Sequence, residues 1–191
     1  MKEKHGEKYY SNKRKIMECF LELIVNEGYH NTTISKVSNR TGLSYGSITN
    51  IFPIKEDILL EVLKESIMNY EEKITINGDV FKQFLRNLVL QFKRMEEDEN
   101  IKEILIEQFT FYKTTEFLKE YIVKMLSKAL GKREDCYFKA TAIIGIVREY
   151  INTNTNLYFS IERKCKELIK AILLICEYNE ENILKALSEV I

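Results

Sequence analysis

The sequence predicts an all-α protein, and three observations lead to that fold class. The 191 residues include a single proline, Pro53, and only seven glycines, so helix breakers are scarce. Apolar residues recur at helical spacing, as at Ile16, Phe20, Leu23 and Ile24. Hydrophobic residues make up 45% and charged residues 30% of the chain, which is the balance of a folded globular protein.

The chain has no stretch typical of a membrane or exported protein. It lacks a run of about 18 apolar residues, the length that a transmembrane helix needs. The N-terminal segment MKEKHGEKYYSNKRK is charged and has no apolar core of the kind found in secretory signals. We therefore expect a cytoplasmic protein without a membrane partner.

A first helix is predicted from residue 11 or 12 to residue 26, with Gly28 as its C-cap. Its first turn carries Lys13, Arg14 and Lys15. These cations could reach the phosphates of a nearby duplex, or they could form an ordinary solvated cluster.

Residues 32–63 have the pattern of two short helices, a tight turn between them and a longer third helix. Either threonine of the pair Thr32–Thr33 can cap a helix that runs to residue 40. Gly42 can adopt the positive φ that a helix C-cap requires. Ser44 then caps a second helix, which ends near residue 52.

The third helix begins directly after this pair. Pro53 ends the second helix, and Lys55 opens a helix predicted to run to about Thr75. Two short helices joined by such a turn form a helix-turn-helix, in which the second helix offers its N-terminal residues to the major groove of DNA.

The same stretch resembles the DNA-binding domain of TetR-family transcriptional regulators over about residues 13–63. The resemblance rests on four motifs at matching spacing, namely EGY at 27–29, TTI at 32–34, GLSYGSI at 42–48 and F-P-x-K-E-D-x-L at 52–59. It implies a helix-turn-helix DNA-binding domain at 1–56 and a helical effector-binding and dimerisation domain at 57–191, joined by the long helix. Residues 1–56 hold nine basic and six acidic residues, which leaves a net charge of +3 there and −3 in the remainder.

The second helix of the motif is predicted to have a buried and an outward face. Ile48, Ile51 and Phe52 share one side at i, i+3 and i+4 and should face a small core. The outward face is then formed by the remaining positions, Tyr45, Gly46, Ser47, Thr49 and Asn50.

Tyr45 and Gly46 lie nearest the helix start and are therefore the candidates for contact with base edges. Gly46 permits close approach of the backbone, and Tyr45 can contact a thymine methyl or donate a hydrogen bond. Asn50 could pair with adenine or bind a phosphate. The candidate phosphate ligands are Thr33, Ser44, Ser47, Thr49 and Lys55.

Three positions depart from the family's pattern, and the first is Tyr45, which stands where a small or basic residue is often found. Thr49 stands where a tyrosine that contacts phosphate is usual, and Lys36 stands where an acidic residue is common. The loss of a phosphate contact predicts weaker DNA binding with the same docking geometry.

The rest of the chain is predicted to form further helices at about 80–96, 101–112, 115–130, 134–154, 160–178 and 179–190, after a break at Asn77-Gly78-Asp79. The helices at 134–154 and 160–178 are apolar around much of their circumference. The resemblance implies that they form a two-fold homodimer interface. The alternative is that both are core helices buried within one subunit.

Aromatic residues are dense after residue 80, and their default role is core packing. The resemblance implies a cavity for a small apolar or aromatic effector. Its candidate lining is Phe84, Phe92, Phe109, Tyr112 and Phe117, with Glu107 and Gln108 as polar handles. A buried Glu107 would favour a cationic ligand.

The four cysteines, Cys19, Cys136, Cys165 and Cys176, include no C-x-x-C pair, and the chain has only two histidines. This pattern gives poor support to a metal site. Buried apolar fillers and redox-sensing thiols both remain possible roles.

Together these observations predict a dimeric, ligand-responsive transcriptional regulator without a cofactor, most simply a repressor released from a palindromic operator by its effector. The alternative is a DNA-binding protein of the same fold whose second domain binds a protein partner. Catalysis is not expected, because the chain has no nucleophile elbow, P-loop or paired-histidine motif.

Overall fold

The computed structural model describes residues 2–74, 80–131, 133–152 and 159–191. These residues form ten α-helices and contain no β-strand. The chain divides into two compact units, Met1–Asn69, here called the head, and Tyr70–Ile191, here called the body. The predicted all-α fold is confirmed.

The head contains α1, Lys2–Glu27, followed by α2, Ile34–Thr41, and α3, Tyr45–Thr49. The long helix α4, Lys55–Ile74, begins in the head. Helix α1 packs on α2, and α2 packs on α3.

Helix α1 begins nine or ten residues earlier than the predicted start at residue 11 or 12. The prediction was wrong there because it required a capping residue and an apolar stripe. Lysine and glutamate have good helix propensity, and Gly6 costs only about 1 kcal/mol in a helix interior.

The head's apolar core extends beyond residue 56, where the sequence predicted the domain boundary. Ile58 and Leu59 of α4 are fully buried, and Val62 and Leu63 are nearly so. The compact unit accordingly ends at Asn69. The other fully buried apolar side chains of the head are Ile16, Phe20, Ile24, Val37 and Ile48.

The caps of the helix-turn-helix form as the sequence predicts. The Thr33 side chain accepts a hydrogen bond from the Lys36 amide at the start of α2. Gly42 closes the same helix in the left-handed region, at φ 69°, with its amide donating to the Ser38 carbonyl. Ser44 caps α3 by accepting from the Ser47 amide. The angle between the two helices is therefore held by local hydrogen bonds.

Substituting Gly42→Ala is expected to lower the free energy of unfolding by about 1–2 kcal/mol. A Cβ at this position would meet no atom within 4 Å, so the loss comes from the positive φ alone. Gly46→Ala is the matched control, because Gly46 lies in a helix with equally open space. Urea unfolding should therefore show a loss for Gly42→Ala and none for Gly46→Ala, and equal stability of the two variants would contradict the argument.

After the end of α4, the described residues of the body form six helices: α5, Val80–Glu97; α6, Glu99–Thr110; α7, Tyr112–Leu130; α8, Arg133–Asn152; α9, Ile161–Ile175; and α10, Glu180–Val190. Helix α7 lies along α8, and α5 contacts α6, α9 and α10. The predicted break at Asn77-Gly78-Asp79 lies outside the described residues.

Helix α9 ends at Ile175 rather than at the predicted residue 178. Glu177 adopts a positive φ of 61°, which turns the chain towards α10. Its amide donates to the Leu174 carbonyl, and the Tyr178 amide donates to the Leu173 carbonyl. These bonds satisfy the last carbonyls of α9 without a glycine.

Within the described ranges, no helix is both long enough and apolar enough to cross a membrane.

Candidate nucleic-acid interface

The short helix α3 is held in shape by its own hydroxyl groups. Ser44 Oγ accepts from the Ser47 amide at 3.1 Å and lies 2.8 Å from Ser47 Oγ. Thr49 Oγ1 donates to the carbonyls of Tyr45 and Gly46, at 3.2 and 3.3 Å. A helix of five residues is too short to be stable alone, so these bonds and its packing on α2 hold it in place.

The two faces of α3 are those that the sequence predicts. Ile48 is fully buried and Phe52 is 2% exposed. Tyr45 is 55% exposed, and Gly46 and Asn50 are also exposed. Ser47 and Thr49 are half-buried, as is Ile51, which the sequence places in the core. The outward side chains thus form a surface that a groove of DNA could cover.

Lys55 has partners that the sequence did not suggest. Its ammonium donates to the carbonyls of Tyr29 and Thr32, at 3.1 and 3.3 Å, and lies 4.0 Å from the centre of the Tyr29 ring. Tyr29 is itself buried and packs edge-on against Phe20. Lys55 therefore ties the start of α4 to the turn between α1 and α2, whereas the sequence suggested a phosphate ligand.

Several cations of the head are engaged in ion pairs. Lys13 Nζ lies 2.5 Å from Glu61 Oε2, and Lys64 Nζ lies 2.7 Å from Glu61 Oε1. Burial raises the pKa of the Glu61 carboxyl, but the hydrogen bonds from both lysines outweigh it, so this pKa lies below its ordinary value. The hydrogen bond that Lys13 donates to Glu61 is the main cause that raises the pKa of Lys13 above its ordinary value. Lys13 therefore connects α1 to α4.

Two more cations are paired near the surface. Arg14 Nε lies 3.0 Å from Glu18, on the same helix. Lys36, at the position where an acidic residue is common in the family, has its ammonium 2.7 Å from Glu27 Oε2. The reversed charge at position 36 is thus matched by a carboxylate on α1.

The predicted effector-lining residues differ widely in exposure. Phe92 is buried and packs edge-on against Tyr150, with ring centres 5.2 Å apart. Phe84 is half-buried and stacks on Phe81. Glu107 and Phe109 are buried, whereas Gln108 and Phe117 are half-buried. Tyr112 is 79% exposed, so in a single chain it does not line an enclosed cavity.

Sequence reasoning missed a polar cluster between α5, α8 and α9. Lys164, only 5% exposed at its side chain, has its ammonium 3.1 Å from Glu96 Oε1. Nearby, the Tyr150 hydroxyl is buried and has no hydrogen-bond partner among the described residues. The pKa of the Tyr150 hydroxyl is raised above its ordinary value, mainly because this group is buried. No periodicity could have identified this cluster, because its members lie far apart in the sequence.

All four cysteines are buried and free. Burial raises the pKa of the Cys176 thiol to about 12 and also raises the pKa values of Cys19 and Cys165. Because the thiolate is the reactive form, this environment supports the role of apolar filler over that of redox sensor.

Residues 16–62 match the family model described as bacterial regulatory proteins, tetR family. This part of the chain belongs to the TetR family. The match covers α2 and α3 with their caps, the C-terminal part of α1 and the start of α4. The capped helices α2 and α3 and the turn between them therefore form the helix-turn-helix of a TetR-family DNA-binding domain.

Among curated proteins, this chain is similar to the fatty acid metabolism regulator protein of Bacillus subtilis (strain 168), with 34% identity over 59 residues. The chain spans only 30% of that relative's length in the match, and the match covers 31% of this chain. The similarity is thus confined to a segment the size of one small domain.

Solved TetR-family structures extend the likeness to the whole fold. RolR in complex with resorcinol is 17% identical with a TM-score of 0.69, and 96% of each chain is covered. A TetR transcriptional regulator from Rhodococcus sp. RHA1 is 15% identical with a TM-score of 0.63, covering 87% of this chain and 98% of that one. Thermus thermophilus FadR in complex with lauroyl-CoA is 15% identical with a TM-score of 0.59, covering 84% and 93%. At these identities the likeness establishes the fold alone.

Proposed function

We propose that this TetR-family protein is a dimeric repressor that releases a palindromic operator when a small apolar or aromatic effector binds to the body. The proposal rests on the exposed face of the capped helix α3. Tyr45 and Asn50 are exposed, and their side chains have no hydrogen-bond partner among the described residues. They are therefore available to DNA at no cost to the fold.

Tyr45 and Gly46 are proposed to contact base edges, because they open the helix whose N-terminal residues enter the groove. Thr33 and Ser44 accept hydrogen bonds from backbone amides, so each hydroxyl can still orient its proton towards a phosphate oxygen. Ser47 Oγ lies 2.8 Å from Ser44 Oγ, so one of these two hydroxyls donates to the other and only the second keeps its proton for a phosphate. Thr49 already donates to the backbone and would have to rotate before it could donate to DNA.

The dimer is proposed to form through α8 and α9, as the sequence predicts. Exposed apolar side chains on these helices support this, since Phe138 is 75%, Leu174 55% and Tyr137 49% exposed. Large apolar groups at such exposure, on two helices of one unit, favour burial against a second copy.

The effector is proposed to bind among the aromatic side chains of the body. RolR is bound to resorcinol and Thermus thermophilus FadR to lauroyl-CoA, and both ligands combine an apolar part with polar groups. In this chain, Phe92 together with the unpartnered Tyr150 hydroxyl offers an apolar wall and one hydrogen-bond donor. Effector binding would shift the population towards a conformation that does not bind DNA.

Footprinting of the purified protein on the DNA that flanks its own gene, at two salt concentrations, tests this proposal. We expect a protected palindromic site whose affinity falls steeply with salt, and a dimer by light scattering. Absence of protection at low salt would contradict the DNA-binding function. Protection by a monomer would contradict the proposed interface.

The effector is tested on the same operator with resorcinol, lauroyl-CoA and related small molecules. Release by one of them supports the repressor mechanism. If none releases the operator but a protein partner does, the alternative in which the body binds a protein is favoured.

A further inference from the structure

Three exposed cations of the head stand apart from the others. Lys8, Lys15 and Arg40 have no hydrogen bond or ion pair among the described residues. In contrast, Lys13, Arg14, Lys36 and Lys64 are paired with carboxylates, and Lys55 is held by two carbonyls.

The three unpaired cations lie along one line of the head. Lys8, Asn12, Lys15 and Cys19 follow each other at i, i+4, i+7 and i+11, so they share one face of α1. Arg40 lies in the last turn of α2, which packs on α1. Burial raises the pKa of the Cys19 thiol, and the charges of Arg40 and Lys15 oppose that rise, as expected for cations near this thiol.

This line of cations leads towards α3, the helix that is proposed to contact base edges. Arg40 comes directly before the turn at Gly42, and Ser44 then caps α3. The hydrogen bond from Lys36 is the main cause that lowers the pKa of the Glu27 carboxyl, and the charge of Arg40 contributes to it, so Glu27 and Arg40 lie near each other. The Oε2 atom of Glu27, however, already pairs with Lys36. The guanidinium of Arg40 is therefore available to a phosphate beside the groove that α3 enters.

We propose that Lys8, Lys15 and Arg40 form a basic ridge that binds the phosphate backbone of the duplex next to the base pairs read by α3. This rests on the proposed DNA-binding function and adds residues that the helix-turn-helix motif alone does not identify. Unpaired cations are suited to the role, because binding a phosphate breaks no existing ion pair. Lys13, by comparison, would have to leave Glu61.

The physical basis is the release of counterions. Each phosphate neutralised by a protein cation adds about 0.9 to the slope of log affinity against log salt on duplex DNA. This contribution is independent of base sequence, so the ridge sets the position and strength of docking, whereas the outward residues of α3 set the sequence preference.

The test is a salt series of fluorescence anisotropy with the full-length protein on two duplexes, its footprinted operator and an unrelated sequence. The variants are Lys8→Gln, Lys15→Gln and Arg40→Gln, with Arg14→Gln as matched control because Arg14 is a paired, exposed cation on the same helix. Arg40→Lys keeps the charge. Circular dichroism melting verifies that each variant is folded.

We expect the magnitude of the slope to fall by about 1.8 for each of the three single variants, because the dimer carries each substitution twice, and by roughly 3.6 for Lys15→Gln with Arg40→Gln, on both duplexes. Arg14→Gln and Arg40→Lys should retain the wild-type slope. Unchanged slopes in the ridge variants, or an equal fall in Arg14→Gln, would overturn the ridge and leave the DNA-binding function standing. A wild-type protein that binds neither duplex at low salt would refute both.

Discussion

Tyr45→Ala is expected to weaken operator binding by about thirtyfold or more, because a base contact in the major groove is worth about 1–3 kcal/mol and the proposed dimer loses one in each half-site. The Tyr45 ring is 55% exposed and its hydroxyl has no partner in the described structure, so its removal should leave the Tm unchanged. Anisotropy with the operator duplex and with an unrelated duplex measures the effect. Affinity for the unrelated duplex should change little, because phosphate contacts are retained.

Tyr112→Ala serves as the control, since it removes an exposed tyrosine from the body. It should leave operator affinity as it is in the wild type. Tyr45→Phe separates the two possible modes of contact: loss of affinity would identify a hydrogen bond from the hydroxyl, and retained affinity would identify contact by the ring. If Tyr45→Ala binds the operator as tightly as the wild type, Tyr45 does not read the bases.

Lys55→Met is expected to lower the free energy of unfolding by about 2 kcal/mol or more, because hydrogen bonds to charged groups contribute about 1.5–3 kcal/mol and a cation–π contact adds about 0.5–1 kcal/mol. Methionine keeps the length of the side chain but leaves the carbonyls of Tyr29 and Thr32 without this donor. Urea unfolding gives the free energy, and hydrogen exchange of residues 28–33 locates the loss.

The matched control for Lys55 is Lys36→Met, which removes an ammonium from an exposed ion pair and should cost less than about 1 kcal/mol. The same pair of variants separates the structural role of Lys55 from the phosphate contact that the sequence suggested. If Lys55 binds phosphate instead, Lys55→Met will keep its stability and lose affinity for every duplex, including one that lacks the operator.

Local signals in the sequence predicted most of the head. Thr33, Gly42 and Ser44 lie at the caps they were expected to form, because capping depends on a few neighbouring backbone groups. The burial of Ile48 and Phe52 followed from helical periodicity in the same way.

Contacts between distant residues could not be predicted by such signals. Lys55 reaches a carbonyl 26 positions away, and Lys13 a carboxylate 48 positions away. A free lysine and a paired lysine look the same in a sequence, so the distinction between Lys15 and Lys13 required the packing of α1 against its neighbours. The exposure of Tyr112 could not be predicted either, because an aromatic residue at helical spacing can lie on the buried or the exposed face of a helix.

The residues proposed to contact base edges differ from the residues that stabilise the helix-turn-helix. The caps, the turn glycine and Lys55 hold the helix-turn-helix together, whereas the side chains of Tyr45 and Asn50 contribute no hydrogen bond to the described fold. If these two side chains read the operator as proposed, substitutions there can change which operator is recognised without passing through an unstable intermediate. A duplicated copy of this gene could acquire a new regulatory target through substitutions that selection on folding would not oppose.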